Sequence, residues 1–241
     1  MIKRTTYLIL ITLFFIKTGV AQNAAQDFKK INAVYAQNTE LSIDIEYLYF
    51  QDENDKEPTE IKKGTFKKAG KKIQSQLIGI TTLQNEKYML MVDNENKVVV
   101  VSKPKISFDV PMVSVIDSML KICSSVEFKE VSKTKRSYQL NFKKNRDNYR
   151  SITIVYNLSS HFLDKIIFSF DEPVLTDINN EESAKEVPKL VIKYKNIKTS
   201  VNLLNSSFSE KKYFTKSGDK ITGVGTYKDY KFINNILANG K

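Results

Sequence analysis

Residues 64–103 read GTFKKAGKKIQSQLIGITTLQNEKYMLMVDNENKVVVVSK, and the rhythm of this stretch decides the fold. Strand patterns at Gly64–Lys68, Lys72–Thr82, Lys87–Val92 and Lys97–Lys103 alternate with Ala69-Gly70, Gln84-Asn85-Glu86 and Asp93-Asn94-Glu95-Asn96. Glycine supplies positive φ in such turns, and Asn or Asp side chains bond their own backbone there. Turns this short leave no room for the crossover of a dozen residues that a parallel return needs. Successive strands must therefore pair as antiparallel neighbours, and the stretch predicts a meander.

Upstream, Leu41, Ile43, Ile45, Tyr47 and Tyr49 alternate with Ser42, Asp44, Glu46 and Leu48, the period of a half-buried strand. Before it, Ala24–Gln37 places Phe28, Ile31, Val34 and Tyr35 on one face, an amphipathic helix that should pack on a sheet. The polar, Pro58-containing run Gln51–Glu60 reads as an exposed hairpin loop. Downstream, Pro111–Val131 carries Met112, Val115, Ile116, Met119, Leu120, Cys123 and Val126 at three- and four-residue steps, which predicts the main internal helix. Strand patterns return at Tyr138–Phe142, Ile152–Tyr156, Leu163–Phe170 and Leu190–Tyr194, the last two separated by the acidic loop Asp171–Pro188. Near the end, Ser217-Gly-Asp-Lys and Gly223-Val-Gly225 are turn signals without phosphate-loop spacing.

The first 22 residues, MIKRTTYLILITLFFIKTGVAQ, give an address. Lys3 and Arg4 precede an apolar core from Tyr7 to Ile16, and Gly19-Val20-Ala21 puts small residues before a cleavage point. Lys17 interrupts the apolar run far short of the roughly 20 residues a membrane span needs. No Cys follows it, so the expectation is a cleaved signal over 1–21, no lipid anchor, a mature start at Gln22 or Asn23, and one periplasmic domain over 22–241.

Composition narrows the function. Losing Lys3, Arg4 and Lys17 from the 38 basic residues leaves 35 against 27 acidic, a net charge of +8 where the whole chain has +11. Nearly all of this is dispersed Lys in pairs such as Lys62-Lys63 and Lys143-Lys144, which suits solvated strand faces and edges. Only Arg136, Arg146 and Arg150 remain among the arginines, too few and too scattered for a nucleic-acid groove. Cys123 is the single cysteine and His161 the single histidine, so no internal disulfide forms and a Cys-His dyad or zinc site has no supporting spacing. Cys123 reads as a buried, inert residue and His161 as part of a turn. Without a nucleophile elbow or a zinc-protease helix signature, the chain reads as non-enzymatic, with no cofactor and no metal.

The order of elements then becomes recognisable. A signal, an amphipathic helix ending in AVYAQN, a Tyr-rich strand, a polar loop, Gly64-Thr-Phe-Lys, Ile73-Gln-Ser-Gln, KYMLMVDNENKVVVV and a central helix follow in sequence. This order resembles the LolA-like superfamily of periplasmic lipoprotein carriers over roughly residues 24–214. The resemblance implies an α+β fold in which a strongly curved antiparallel sheet, an open half-barrel of about 10–11 strands, wraps around a few helices. Where the family tends to carry an Arg on the strand after its glycine motif, this chain has Lys71-Lys72-Ile73, and it contains no Trp.

The resemblance implies a carrier or chaperone for lipid or lipoprotein acyl chains, working as a monomer and releasing its load to an envelope membrane protein. Tyr47, Leu90, Met91 and Phe168 are the candidate cavity wall, since Met and aromatic side chains suit an acyl pocket. Which alternating face turns inward is a matter of register, because one residue of slip exchanges every side chain. The alternative is a filled sheet face serving as a structural or adaptor component of an envelope assembly.

Overall fold

The computed structural model describes residues 23–105, 110, 113, 115–143, 148–172, 174–175 and 185–236. The segment expected to be a signal and the middle of the acidic loop Asp171–Pro188 lie outside the described residues. The strands are β1 (Glu40–Phe50), β2 (Glu60–Ala69), β3 (Lys72–Leu77), β4 (Ile80–Gln84), β5 (Met89–Asp93), β6 (Val98–Ser102), β7 (Ser125–Ser132), β8 (Lys135–Asn141), β9 (Tyr149–Asn157), β10 (Leu163–Phe170), β11 (Val174–Leu175), β12 (Lys185–Glu186), β13 (Lys189–Thr199), β14 (Phe214–Ser217), β15 (Lys220–Gly223) and β16 (Lys231–Asn234). Among the described residues two α-helices accompany them, α1 over residues 23–37 and α2 over Ile116–Ile122. No helix among the described residues is long and apolar enough to cross a membrane.

The chain groups into two compact units, one drawn from Met1–Gln37, Tyr47–Ile61 and Asp109–Lys193, the other from Asn38–Glu46, Lys62–Phe108 and Tyr194–Lys241. β1, β2 and β13 each contribute residues to both. In hydrogen-bonded order the main sheet reads β16-β6-β5-β4-β3-β2-β1-β13-β10-β9-β8-β7.

In the second unit the expected meander is present, with Thr65 opposite Gln76, Gln74 opposite Leu83, and Leu90 opposite both Leu83 and Val101. The single strand expected over Lys72–Thr82 is instead two, β3 and β4, because Ile78 (φ 48°) and Gly79 (φ 79°) close a two-residue hairpin. Two successive positive φ values make the primed turn whose twist matches a hairpin, and a β-branched residue at its first position hides that turn in the sequence. One side of this unit's sheet is covered by its own C-terminal segment. Leu83, Leu90, Val92, Val99 and Val101 pack under Tyr213 and Phe214, with Tyr88, Tyr227 and Phe232 at the margins. Asn85 pins this cover. Its side-chain oxygen accepts from the Lys87 and Tyr88 N–H groups, and its amide donates to the Phe208 carbonyl at 3.1 Å and to Glu210 at 2.7 Å. The last strand, β16, lies parallel to β6, a correction to the all-antiparallel expectation. The segment from 200 to 230 is long enough to make the crossover that short turns forbid.

In the first unit β7 to β10 continue as antiparallel hairpins, with Phe128 opposite Tyr138, Tyr138 opposite Ile154, and Ile154 opposite Ile166. The helix expected over Pro111–Val131 is the main correction. Among the described residues of that range only Ile116–Ile122 is α-helical, Cys123 leaves the helix with ψ 151°, and Ser125–Ser132 forms β7. Ser124 donates from its N–H and its hydroxyl to the Asn141 carbonyl, which starts pairing with β8 where a helix would have continued. Val126 fits a step of three as well as a step of two, so the pattern alone favoured the helix. Of the expected sheet with a few helices, the described residues give mostly sheet, with one long α-helix and one short one.

Gly64, which leads the glycine motif, shows why that position excludes a side chain. A Cβ built there would lie 2.3 Å from the Gln76 carbonyl oxygen across the β2–β3 pair. Gly64→Ala is therefore expected to force these strands apart and to destabilise by about 1–3 kcal/mol, as overpacking does. The check is a fall in the thermal midpoint with an unchanged far-ultraviolet circular dichroism spectrum at 20 °C.

Candidate functional site

The buried stripe of α1 consists of Ala24, Asp27, Phe28, Ile31 and Tyr35, spaced to lie on one face. A carboxylate in such a stripe is costly unless it is hydrogen-bonded. Asp27 Oδ2 meets that requirement by accepting from the Tyr138 hydroxyl at 2.9 Å and the Tyr156 hydroxyl at 2.5 Å, while Lys30 approaches Oδ1 at 3.2 Å. The tyrosines come from adjacent strands, β8 and β9, at positions two residues apart in register. Their rings stack with centroids 6.3 Å apart, and Phe28 sets its edge against Tyr138 at 5.5 Å.

The other end of α1 is held by a second tyrosine. Leu163 N–H donates to the Tyr35 hydroxyl at 3.1 Å, and the Tyr35 ring meets Phe162 edge-on at 5.2 Å. Midway, the Asn32 amide donates to Asp117 of α2 at 2.7 Å. The helix is thus fastened by polar bonds at both ends over a sheet face of buried Leu140, Ile154, Ile166 and Phe168.

These bonds set the charge state. Burial raises the pKa of Asp27, but hydrogen bonds from Tyr156, Tyr138 and Lys30 outweigh it and leave the group below its ordinary value of 3.8. Burial, followed by the bond to the Asp27 carboxylate, pushes Tyr138 up to about 12, and moves Tyr156 upward for the same reasons. The pair is ionised carboxylate with neutral phenols at any physiological pH. Beside it opens a depression of about 400 Å³ lined by Gln26, Asp27, Lys30, Phe128 and Arg136 among others. There Arg136 lies 5.6 Å over the Phe128 ring and 3.6 Å from Glu130.

The candidate wall residues fall in different places. Tyr47 and Phe168 belong to the first unit and are buried on the same side of its sheet, since Leu48, Tyr47's neighbour, packs with Val191 and Ile167 on the opposite side. Leu90 and Met91 belong to the second unit, where adjacent strand positions point them to opposite faces. Leu90 is fully buried beneath the Tyr213–Phe214 segment, whereas Met91 is 45% exposed. Cys123 is only half-buried, contrary to the expectation of a buried thiol. Its Sγ donates to the Leu120 carbonyl, and burial raises its pKa. His161 sits at φ 57° in the turn after β9, stacked on Tyr156. No group of three His, Cys, Asp or Glu side chains among the described residues is placed to hold a metal.

Asp27 and its tyrosines were not among the residues singled out from sequence. The available signal was an acidic residue inside the apolar stripe of the first helix, together with Tyr138 and Tyr156 on the apolar faces of later strands.

No family model matches the chain, and no curated protein does. Among solved structures it is similar to a LolA superfamily protein from Nitrosomonas europaea, 10% identical, covering 78% of this chain and 98% of that one with a TM-score of 0.29. The Mycobacterium tuberculosis lipoprotein LppX is 8% identical, with 76% and 99% coverage and a TM-score of 0.38. A third is the Pseudomonas aeruginosa MucA/MucB complex, 7% identical, with 85% and 64% coverage and a TM-score of 0.41.

Because the folded pKa of Asp27 lies below its unfolded value, its ionised form stabilises the attachment of α1 above the unfolded value, and this contribution is lost as pH falls through the folded one. Wild type is expected to melt above Asp27→Asn at pH 7, and the gap should close as pH is lowered from about 5 toward 2. Thermal midpoints of the two proteins across that range supply the check.

A second pair of substitutions tests the faces of β5. Leu90→Glu buries a charge beneath Phe214 and should cost several kcal/mol, enough to abolish cooperative unfolding, while Met91→Glu should stay within about 0.5 kcal/mol of wild type. Urea titrations of both variants measure this directly.

Proposed function

We propose that this protein is an exported, non-enzymatic carrier or chaperone that takes an apolar chain, from a lipid or an acylated lipoprotein, onto the sheet face beneath α1. The observation that carries the reading is the fastening of α1. A long amphipathic helix covers an aliphatic and aromatic sheet face and is tied down by a small set of directional bonds centred on Asp27. In this reading α1 is a removable cover, and the residues it hides, with Tyr47 and Phe168 on the same side of the sheet, form the wall against which the chain lies.

Energetics permit the exchange. A chain of about sixteen methylenes offers roughly 13 kcal/mol on full burial, while each of Phe28, Ile31 and Tyr35 displaced from the sheet gives up about 1.5–3 kcal/mol. The net charge of +8 expected after signal removal assists approach to anionic head groups.

The second reading, a structural or adaptor component with a filled sheet, is favoured by one observation: Leu90, Tyr47 and Phe168 are already covered by the chain's own side chains. Two measurements separate the readings. Organic extraction of the purified protein followed by mass spectrometry should yield bound lipid, and a fluorescent fatty acid should enter faster in Asp27→Asn, whose cover is loosened, than in wild type. If neither protein carries lipid nor takes up the probe, the carrier reading fails and the adaptor stands.

A further inference from the structure

β7 ends the sheet order, so one of its sides pairs with β8 and the other meets no strand among the described residues. The strand is long for an edge and almost wholly exposed, with Phe128 at 42% and Val131 at 48%. Natural sheets usually shorten such an edge, place proline in it or guard it with charge, because open N–H and C=O groups recruit another strand. β7 is eight residues long and has no proline, and its charges alternate in sign: Glu127, Lys129, Glu130. Among the described residues Lys129 has no acidic partner, and Glu127 is bonded through one oxygen alone, to the Asn141 amide at 2.7 Å.

We propose that β7 is a self-complementary edge through which two copies of this chain pair antiparallel, about a two-fold axis at Phe128. Charge selects that register. A two-fold axis perpendicular to the sheet keeps faces together, so opposed residues must have numbers whose sum is even. Centring on Glu127 opposes Glu127 to itself, and centring on Lys129 opposes Lys129 to itself; both place like charges directly across, which destabilises. Centring on Phe128 instead sets Glu127 against Lys129 of the second copy, Lys129 against its Glu127, and Phe128 against Phe128. It thus gains two cross-strand ion pairs and one aromatic pair. The register shift between Glu130 and Ser132 ends the regular ladder, which limits pairing to about five residues a side and makes the dimer weak and concentration-dependent.

The inference is independent of the carrier reading and is tested by mass. Sedimentation equilibrium of the mature protein at low salt should show a rise from monomer to dimer mass with concentration, reduced at high salt, which screens exposed ion pairs. Lys129→Glu and Glu127→Lys should each lose the dimer, and the double variant carrying both should regain it, since its charges again oppose. In a Cys123→Ser background, Phe128→Cys should form a disulfide-linked dimer under mild oxidation, and Val126→Cys, which would face Glu130 of the second copy, should not. Circular dichroism confirms that each variant is folded. A monomer mass at every concentration, or a dimer that the double variant fails to restore, overturns the proposal; the former leaves the edge to a strand from another protein.

Discussion

The ionised carboxylate of Asp27 under α1 is the constraint on which the first unit depends. Once a charge is placed in the apolar stripe of a helix, the sheet must answer it with donors at one spot, and Tyr138 and Tyr156 supply them from neighbouring strands. That requirement fixes more than an ion's environment. It sets the height of α1 along the sheet, aligns two tyrosine rings in a stack, and gives Phe28 a ring edge to pack against. An apolar contact could have slid by a residue at modest cost, whereas a bond to two hydroxyls cannot.

The two units solve the same problem by different means. Each has a sheet with one face too apolar for water. The first lays α1 over it and ties the helix down with polar bonds; the second folds its C-terminal segment back, placing Tyr213 and Phe214 over Leu90 and pinning the segment through Asn85. The first kind of cover has few bonds to break and one group whose charge decides them. The second adds a strand, β16, to the sheet itself, so that removing it would cost backbone pairing as well as side-chain contact. This asymmetry is why the proposed binding face is placed beneath α1.

The edges of the sheet differ in the same way. β16 ends one side with a short strand, while β7 leaves the other with eight residues, seven of them exposed, and an alternating charge pattern. A weak contact at β7 would leave α1 and its face untouched in the proposed binding site.

The sequence by itself determined the strand character of most of the chain, the antiparallel meander and α1, because short turns and hydrophobic periodicity are local properties. It named Leu90 and Met91 for the same wall, although the pleat of a strand sends adjacent residues to opposite faces. What only the tertiary structure decided were choices between equally local alternatives. Residues 125–132 became a strand because β8 offered hydrogen bonds beside them, and the Ile78-Gly79 turn formed because flanking strands could pair across it. Likewise, the partners of Asp27 lie 111 and 129 residues away, a separation at which composition and spacing carry no signal. An acidic residue within an apolar stripe states that a partner must exist; the packing of helix on sheet names it.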